Sequence, residues 1–383
     1  MNVPYTIFGE ELIEPNALQQ FYSALEQPNV IRAALMPDAH SGYTLPIGAV
    51  IAVDGLIYPS YVGYDIGCSI ISVKTKFKIE DLDSRGKSSI FNLIYKQIPT
   101  GLGNKNYIAR EMDNIKNIPH TNFAHRVYQD KGVFDLGSLG HSNHFIEIGY
   151  DEEENLWISV HSGSRGTGHT IASNYMRIAG GKHQEGHYPF KINSEDGINY
   201  LQDLNFCLEF AKENRKIMML KILEILSNEI TRKNKFKVDE LINFDEIIDN
   251  SHNHAELKDG LIIHRKGATH AEKDMLGVVP GSMATGCFII KGKGNPDSLN
   301  SSSHGAGRRF SRKEAKETIT MEDFKTSMDG IIATVKPGTL DESPQAYKDI
   351  FEVMKLQEDL VEIIHHIKPL INIKGLDNDR CRK

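Results

Sequence analysis

An acid and a thiol stand three residues apart in the glycine-interrupted segment VGYDIGCSI, as Asp65 and Cys68. A carboxylate oxygen and a thiolate sulfur both bind metal cations, and histidines such as His144, His161 and His252 could supply nitrogen ligands. Because one thiolate can bridge two cations, Asp65, Cys68 and His144 would hold one ion. Cys68, His161 and His252 would hold the other, and each ion would keep positions open for water or substrate oxygens. The histidines are too far apart in the chain for their spacing to support this site, so a tight turn with a buried thiol is the alternative.

Other reactive residues also lie in short, glycine-rich turns beside predicted strands. These turns are MPDAHSG (36–42), GSLGHSNHFIEIG (137–149), SVHSGSRGTGH (159–169), DNSHNH (249–254), HRKGATH (264–270), VVPGSM (278–283) and SSSHGAGRR (301–309). Loops held by rigid strands are where binding and catalytic groups concentrate, and glycine lets backbone N–H groups approach a phosphate closely. The turn GSRGTG at 163–168 could bind phosphate, but it misses GxGxxG, so an ordinary glycine-rich turn is the alternative.

The composition is that of a soluble globular protein, with 40% hydrophobic and 25% charged residues in 383. No apolar stretch is long enough to span a membrane, and the first 15 residues lack the basic start and apolar run of a signal peptide. Four cysteines without a CxxC pair favour a reducing compartment, which we expect to be the cytoplasm. The net charge of −7 does not favour nucleic acid, but basic clusters at 265–266, 291–293 and 308–313 could form either a local RNA-binding surface or ordinary solvated surface.

Hydrophobic patterns predict an α+β fold with mixed β-sheets at its centre and helices around them. Residues 47–53 and 55–58 are typical of a hairpin around Asp54-Gly55, and 156–160 and 287–291 of buried strands. Helices are predicted at 200–230 and, from the N-cap Ser343 followed by Pro344, at 343–367. Nothing marks a domain boundary, so we expect one domain over 1–383, with a possible polar insertion at about 231–250.

Taken together, these segments resemble the RNA-splicing ligase RtcB family, GTP-dependent enzymes that join RNA ends. The resemblance runs from MPDAH near residue 36 to NIKG at 372–375, nearly the whole chain. Its most specific motifs occur in the family's order: DIGC, NHFIE, HSGSRG, RKGAT, PGSM, SHGAGR and DESPQAYKD. The resemblance therefore implies a single RtcB-like catalytic domain.

The resemblance also implies which residues act. The family's two Mn²⁺ ions are held by residues that correspond here to Asp65, Cys68, His144, His161 and His252, with Cys68 as the bridging thiolate. The family's guanylylated histidine lies in SHGAGR, which places it at His304. Its guanine-nucleotide pocket corresponds to Asn143, His144, Phe145, Ile146, Glu147, His252, Asn253, Pro280, Gly281, Ser282, Met283, His304, Gly305, Ala306, Gly307, Tyr347 and Lys374.

The implied reaction uses GTP to join two RNA ends. His304 attacks the α-phosphate of GTP and carries GMP, which passes to an RNA 3′-phosphate made, where necessary, from a 2′,3′-cyclic phosphate. The 5′-hydroxyl of the second RNA then displaces GMP. We expect a monomer that serves RNA splicing or RNA repair. A metal-dependent phosphoesterase that acts on RNA ends without GTP is the alternative, and a non-catalytic RNA-binding relative is a third hypothesis, although such a protein would not need the metal ligands.

Four departures from the family pattern concern substrate and nucleotide preference more than the metal ligands. His141 replaces a glycine before NHF, Ser302 replaces a cysteine, and Cys287 stands where a serine often contacts the nucleotide. The segment MPDAHSGYTLPIG differs from the family's MPDVHxGKG.

Histidines and an acid outside these sets complete the candidates. Asp38 and His40 of MPDAH could belong to the active site. His264 and His270 flank RKGAT, and we expect both to support that loop without a chemical role.

Overall fold

The computed structural model describes residues 3–181, 186–232 and 237–376. Its strands are β1 (Tyr5–Ile7), β2 (Val30–His40), β3 (Ile47–Val53), β4 (Leu56–Ile57), β5 (Ser69–Lys78), β6 (Phe145–Tyr150), β7 (Asn155–Ser162), β8 (Phe190–Lys191), β9 (Ile248–Ser251), β10 (Asn253–Lys258), β11 (Leu261–Lys266), β12 (Ala268–His270), β13 (Leu276–Pro280), β14 (Cys287–Gly292), β15 (Ser301–Ser303), β16 (Ile332–Ala333) and β17 (Val361–Lys374). Its α-helices are α1 (Pro15–Leu25), α2 (Pro59–Val62), α3 (Ser84–Gln97), α4 (Asn122–Val127), α5 (Val133–Asp135), α6 (Arg165–Gly180), α7 (Glu195–Thr231), α8 (Arg312–Thr318), α9 (Met321–Ser327) and α10 (Ile350–Lys355). The fold is α+β, as the sequence predicts.

Two sheets contain most of the strands. A five-stranded sheet has the order β1-β2-β3-β11-β10, and an eight-stranded sheet has the order β13-β14-β17-β6-β7-β5-β9, with β16 beside β17. Two further pairs, β12 with β15 and β4 with β8, stand apart from them. Both large sheets are mixed, because β1 is parallel to β2 and β16 is parallel to β17.

The middle of the eight-stranded sheet brings distant chain segments to one edge. Strands β6, β7, β5 and β9 are antiparallel neighbours, so the first residues of β6 and β5 lie beside the last residues of β7 and β9. The register pairs Phe145 with His161, and Ser69 with both Ser162 and Ser251. Residues just outside these strand ends therefore lie close together, whatever their separation in sequence.

Helix α7 packs its apolar side against α3 and β7 and fixes the turns at this edge. Two of its polar residues, Asn214 and Arg215, are buried among those turns. The Asn214 Oδ1 atom accepts a hydrogen bond from the Ser138 N–H at 3.1 Å. The Arg215 Nη1 atom donates to the carbonyl oxygens of Gly67 and Ser162, at 2.8 and 2.9 Å. The helix thus satisfies backbone groups that would otherwise lack partners.

Several predicted elements are confirmed. The helix predicted at 200–230 is most of α7, and the strands predicted at 156–160 and 287–291 lie within β7 and β14. The possible insertion lies partly outside the described residues, at 233–236. The described remainder runs from the end of α7 at Thr231 to β9, and between them it forms the short 3₁₀ helices Val238–Glu240 and Phe244–Glu246.

Two predicted elements are wrong. β3 and β4 do not form a hairpin, because β3 already pairs with β2 and β11 on its two edges, and β4 pairs with β8. The helix predicted at 343–367 is two short pieces, Pro344–Ala346 and Ile350–Lys355, followed by β17. This last segment contains five isoleucines and one valine, residues that favour strands, and it fills the position between β14 and β6.

None of the helices in the described part of the chain combines the length and the apolar character that a membrane crossing requires.

Candidate metal centre and nucleotide cavity

Five potential ligands meet at the edge shared by β5, β6, β7 and β9. Asp65 and Cys68 lie in the turn between α2 and β5, and His144 directly precedes β6. His161 is the next-to-last residue of β7, and His252 lies between β9 and β10. The structure therefore brings together all five residues that the sequence suggested as ligands, and strand pairing is what does so.

The donor atoms form two groups of three that share Cys68 Sγ. In the first group, His144 Nε2 lies 2.9 Å from Asp65 Oδ2 and 3.5 Å from Cys68 Sγ. In the second, His161 Nε2 lies 3.1 Å from Cys68 Sγ and 3.3 Å from His252 Nε2. With the bond lengths of zinc, about 2.3 Å to sulfur and about 2.1 Å to nitrogen at a tetrahedral angle, the two donors would lie about 3.6 Å apart. The spacing therefore fits two cations that share one sulfur.

The protonation states also fit cation binding. Burial lowers the pKa values of His161 and His252 well below the usual range, and neighbouring imidazoles lower them further. Burial opposes ionisation of Asp65, but its contact with His144 outweighs this and lowers the pKa to about 2. Burial raises the pKa of the Cys68 thiol, and the Asp65 carboxylate adds to this effect. A bound cation would reverse the shift at Cys68, because it binds the thiolate.

Hydrogen bonds to backbone carbonyl oxygens hold the ligand-bearing turns against one another. The His252 N–H donates to the Cys68 carbonyl oxygen at 2.9 Å, and Asn253 Nδ2 donates to the Asp65 carbonyl oxygen at 3.2 Å. Residue 163 must be glycine, because a Cβ atom there would lie 2.1 Å from Asp65 Oδ1. Glycine at position 163 therefore leaves the space that the Asp65 carboxylate occupies beside the other ligands.

His304 lies beside this centre, with its ring centroid 4.9 Å from that of His252. Its Nδ1–H and its backbone N–H donate to Asp38 Oδ2, at 2.7 and 3.2 Å. Burial opposes ionisation of Asp38, but the His304 imidazole outweighs it and lowers the pKa. Gly307 has a φ of +73°, and a Cβ atom there would lie 2.1 Å from the Asp38 carbonyl oxygen. The turn after His304 thus lies directly against Asp38. Because Nδ1 is used in the contact with Asp38, Nε2 is the ring nitrogen of His304 available to a ligand.

One cavity of about 500 Å³ adjoins both the ligand cluster and His304. Asp65, Cys68, His161 and His252 line it, and so do most residues of the suggested nucleotide pocket: Asn143, Phe145, Glu147, Asn253, Pro280, Gly281, Ser282, Met283, His304, Gly305, Ala306, Gly307, Tyr347 and Lys374. Ile146 does not reach the cavity with its side chain. Alternate residues of β6 face opposite sides, so Phe145 and Glu147 face the cavity while Ile146 packs into the core.

Glu147 places a carboxylate in the wall of this cavity. It is 2% exposed, and its Oε2 atom accepts a hydrogen bond from Asn372 Nδ2 at 2.9 Å. Its Oε1 atom has no hydrogen-bond partner among the described residues. Burial raises the pKa of Glu147 to about 7, although contacts with Cys287 and Asn372 oppose the shift. An unpaired buried acceptor of this kind indicates a place for a ligand's N–H groups.

Glu342, which the sequence did not single out, joins Tyr347 to Lys374. Its Oε2 atom accepts hydrogen bonds from the Tyr347 hydroxyl at 2.5 Å and from Lys374 Nζ at 2.8 Å. Its Oε1 atom lies 3.2 Å from Arg308 Nη1 and 2.9 Å from Arg312 Nη1. Burial opposes ionisation, but these three cations outweigh it and lower the pKa of Glu342. The motif DESPQAYKD contains both this acid and Tyr347, but the three cations come from other segments, so no local pattern predicts its role.

A third group of potential ligands has a different character. Donor atoms of His254, Glu256 and His270 lie within 4.8 Å of one another. However, Arg265 is fully buried, contacts Glu256 Oε1, and places Nη1 3.3 Å from His254 Nε2. A fixed cation therefore already balances this cluster, which agrees with the supporting role expected of His270. The basic pair at 265–266 is accordingly not solvated surface.

An α+β fold with paired groups of carboxylate, thiolate and imidazole donors, beside a carboxylate-bound histidine, is typical of a metal-dependent enzyme. Comparisons with known proteins identify the family to which this chain belongs. The family model described as tRNA-splicing ligase RtcB matches residues 20–375, and the chain belongs to this family.

Relatives from bacteria and archaea match over nearly their whole length. The chain is 32% identical to the RNA-splicing ligase RtcB of Escherichia coli (strain K12), with 95% of each chain covered. It is 29% identical to the tRNA-splicing ligase RtcB of Nanoarchaeum equitans, with 98% of this chain and 96% of the relative covered. It is also 29% identical to that of Methanococcus maripaludis, with 98% and 95% covered.

Removing the shared sulfur tests the metal centre. We expect Cys68→Ala to lose most bound divalent metal, because each ion would retain only two protein ligands. Cys207→Ala is the matched control, since Cys207 is equally buried but lies in the hydrophobic core. Metal per protein is measured by plasma emission after dialysis, and circular dichroism verifies folding. Equal metal content in wild type and Cys68→Ala would contradict the assignment.

Proposed function

We propose that this protein is a GTP- and Mn²⁺-dependent RNA ligase. It joins RNA 3′-phosphate or 2′,3′-cyclic phosphate ends to 5′-hydroxyl ends, through GMP held covalently on His304. Membership of a family of tRNA-splicing ligases supports the joining of RNA. The pairing of His304 Nδ1 with buried Asp38, beside the metal centre, supports the covalent step. Location in the cytoplasm and a monomeric state stay predictions from the sequence.

Asp38 prepares His304 as the nucleophile. By accepting a hydrogen bond from Nδ1–H, the Asp38 carboxylate selects the tautomer whose lone pair is on Nε2. Nε2 attacks the α-phosphorus of GTP, so an N–P bond forms while the bond to pyrophosphate breaks. The imidazole becomes positively charged in this step, and Asp38 stabilises that charge.

Asp65, Cys68, His144, His161 and His252 would hold the paired Mn²⁺ ions. When bound, such ions supply positive charge to phosphoryl oxygens and orient the attacking and leaving groups. Intrinsic affinity at thiolate and imidazole ligands favours zinc over manganese, so the preference for Mn²⁺ must come from geometry and from metal availability.

RNA joining then requires two transfers. GMP moves from Nε2 to an oxygen of the RNA 3′-phosphate, so the N–P bond breaks and a phosphoanhydride forms. The 5′-hydroxyl oxygen of the second RNA attacks the RNA phosphorus, GMP leaves, and the hydroxyl proton is lost. A 2′,3′-cyclic end is first opened by water to a 3′-phosphate. The product is a 3′,5′-phosphodiester.

The wall opposite the phosphates would recognise guanine. The base presents an N1–H and a 2-amino group, which are hydrogen-bond donors, and Glu147 offers an unpaired buried acceptor, Oε1, in the cavity wall. Lys374 and Tyr347 lie in the same wall, and Glu342 fixes both. A buried carboxylate discriminates strongly, because a base without these donors leaves it unpaired.

Labelling with α-³²P-GTP tests the ligase mechanism. With Mn²⁺, we expect acid-labile label on wild type and none on His304→Ala, because His304 is the proposed nucleophile that forms the N–P bond. His270→Ala is the control and should be labelled normally. An unlabelled wild type, or equal labelling of His304→Ala, would contradict the proposal. If the unlabelled protein hydrolysed RNA 2′,3′-cyclic phosphates without GTP, the phosphoesterase alternative would replace it.

The pKa of Glu147, raised by burial to about 7, predicts how guanine-nucleotide binding depends on pH. The carboxylate accepts donors from guanine only when ionised, so affinity should increase as pH increases through 7. Ionisation alone gives about tenfold tighter binding of GMP at pH 8 than at pH 6. Glu147→Gln should bind weakly with little pH dependence. Titration calorimetry across this range measures the effect, and an identical pH dependence in the two proteins would contradict it.

A further inference from the structure

Three aromatic rings form a connected group beside the metal centre, which we call the aromatic ledge: Tyr43, Tyr64 and His169. The ring of Tyr64 stacks on that of His169, with centroids 4.9 Å apart and planes 19° apart. The ring of Tyr43 meets Tyr64 edge to face, at 5.6 Å and 89°. Tyr43 is 66% exposed, and His169 is also exposed. The ledge therefore presents aromatic surface to solvent.

The ledge is continuous with the catalytic cavity. Tyr43 and Tyr64 both line that cavity, together with Asp65 and His304. Tyr64 directly precedes Asp65, and His169 belongs to α6, which begins three residues after Ser162 at the end of β7. A molecule whose reacting end lies at the metal centre can therefore extend over the ledge.

The loop that carries Tyr43 is held in place before any ligand arrives. Gln20 of α1 makes three hydrogen bonds to it. Its Nε2 donates to the carbonyl oxygens of Gly42 and Tyr43, at 2.8 and 3.1 Å, and its Oε1 accepts from the Gly42 N–H at 3.0 Å. Lys266 Nζ donates to the Leu45 carbonyl oxygen at 2.8 Å on the other side of Tyr43. Binding to Tyr43 therefore requires little ordering of the backbone, which favours affinity.

We propose that the aromatic ledge stacks a base of the RNA whose end is being joined. This inference rests on the proposed function for the identity of the strand, and it adds a subsite to the metal ligands, the residues proposed to bind guanine and His304. Unpaired bases stack readily on tyrosine and histidine rings, and such stacking tolerates any sequence. The ledge would thus hold single-stranded ends of varied sequence at the metal centre.

Binding of an RNA that carries 2-aminopurine next to its end tests the ledge without catalysis. Wild type should quench the fluorescence by stacking. Tyr43→Ala should bind about tenfold more weakly and lose the quenching, since stacking on an aromatic side chain contributes about 1–3 kcal/mol per base. Tyr43→Phe keeps the ring and should behave as wild type. Phe244→Ala removes an aromatic residue that is 56% exposed and is not among the cavity residues, and should also behave as wild type.

Two abasic RNAs show which of the joined ends stacks on the ledge: one lacks the terminal base at the 3′-phosphate end, and the other lacks it at the 5′-hydroxyl end. In ligation, Tyr43→Ala should increase KM for intact RNA about tenfold, with unchanged GTP labelling. The penalty should disappear for one of the two abasic RNAs. Unchanged RNA binding and quenching by Tyr43→Ala, or an equal increase in KM for both abasic RNAs, would overturn the proposal that the ledge stacks an RNA base. If wild type were not labelled by GTP but still quenched the fluorescence of the RNA, the ligase proposal would be overturned, whereas RNA stacking on the ledge would be supported.

Discussion

The close approach of four side chains to the Cys68 sulfur is the constraint on which the site depends. Three imidazole nitrogens and a carboxylate oxygen lie in two groups around this one atom, and all but Asp65 are almost fully buried. Unpaired polar atoms are costly to bury, and imidazole nitrogens that face each other satisfy only part of their hydrogen-bonding capacity. Two cations that share the sulfur would satisfy the whole set, and this explains why a buried edge of a sheet retains so many donors.

The surrounding structure orients each of these groups. His144 Nδ1 lies 2.9 Å from the Leu139 carbonyl oxygen, which fixes the ring with Nε2 toward Asp65 and Cys68. Asp38 does the same for His304. Arg215 is buried behind Cys68 and holds the turns from the side of α7. The reactive atoms therefore need little rearrangement when substrates bind, which is how an enzyme keeps the cost of organising its transition state low.

Local patterns in the sequence predict local structure well and distant contacts poorly. The 3.6-residue period of α7 was sufficient to locate it, because its apolar side faces one core over many turns. The helix predicted at 343–367 overlaps the first half of β17 and is wrong there, since the place of β17 between β14 and β6 is decided by other strands. The ligands came from motif resemblance, as no spacing rule joins His144 to His252. The role of Glu342 and the aromatic ledge could not be predicted from the sequence, because most of the residues that contact one another there are distant in the chain.

Anomalous X-ray diffraction from crystals grown with Mn²⁺ tests the shared sulfur most directly. A bridging thiolate predicts two manganese peaks, one near Asp65 and His144 and the other near His161 and His252, each within bonding distance of Cys68 Sγ. A single peak, or two peaks of which only one contacts the sulfur, would contradict the bridging thiolate.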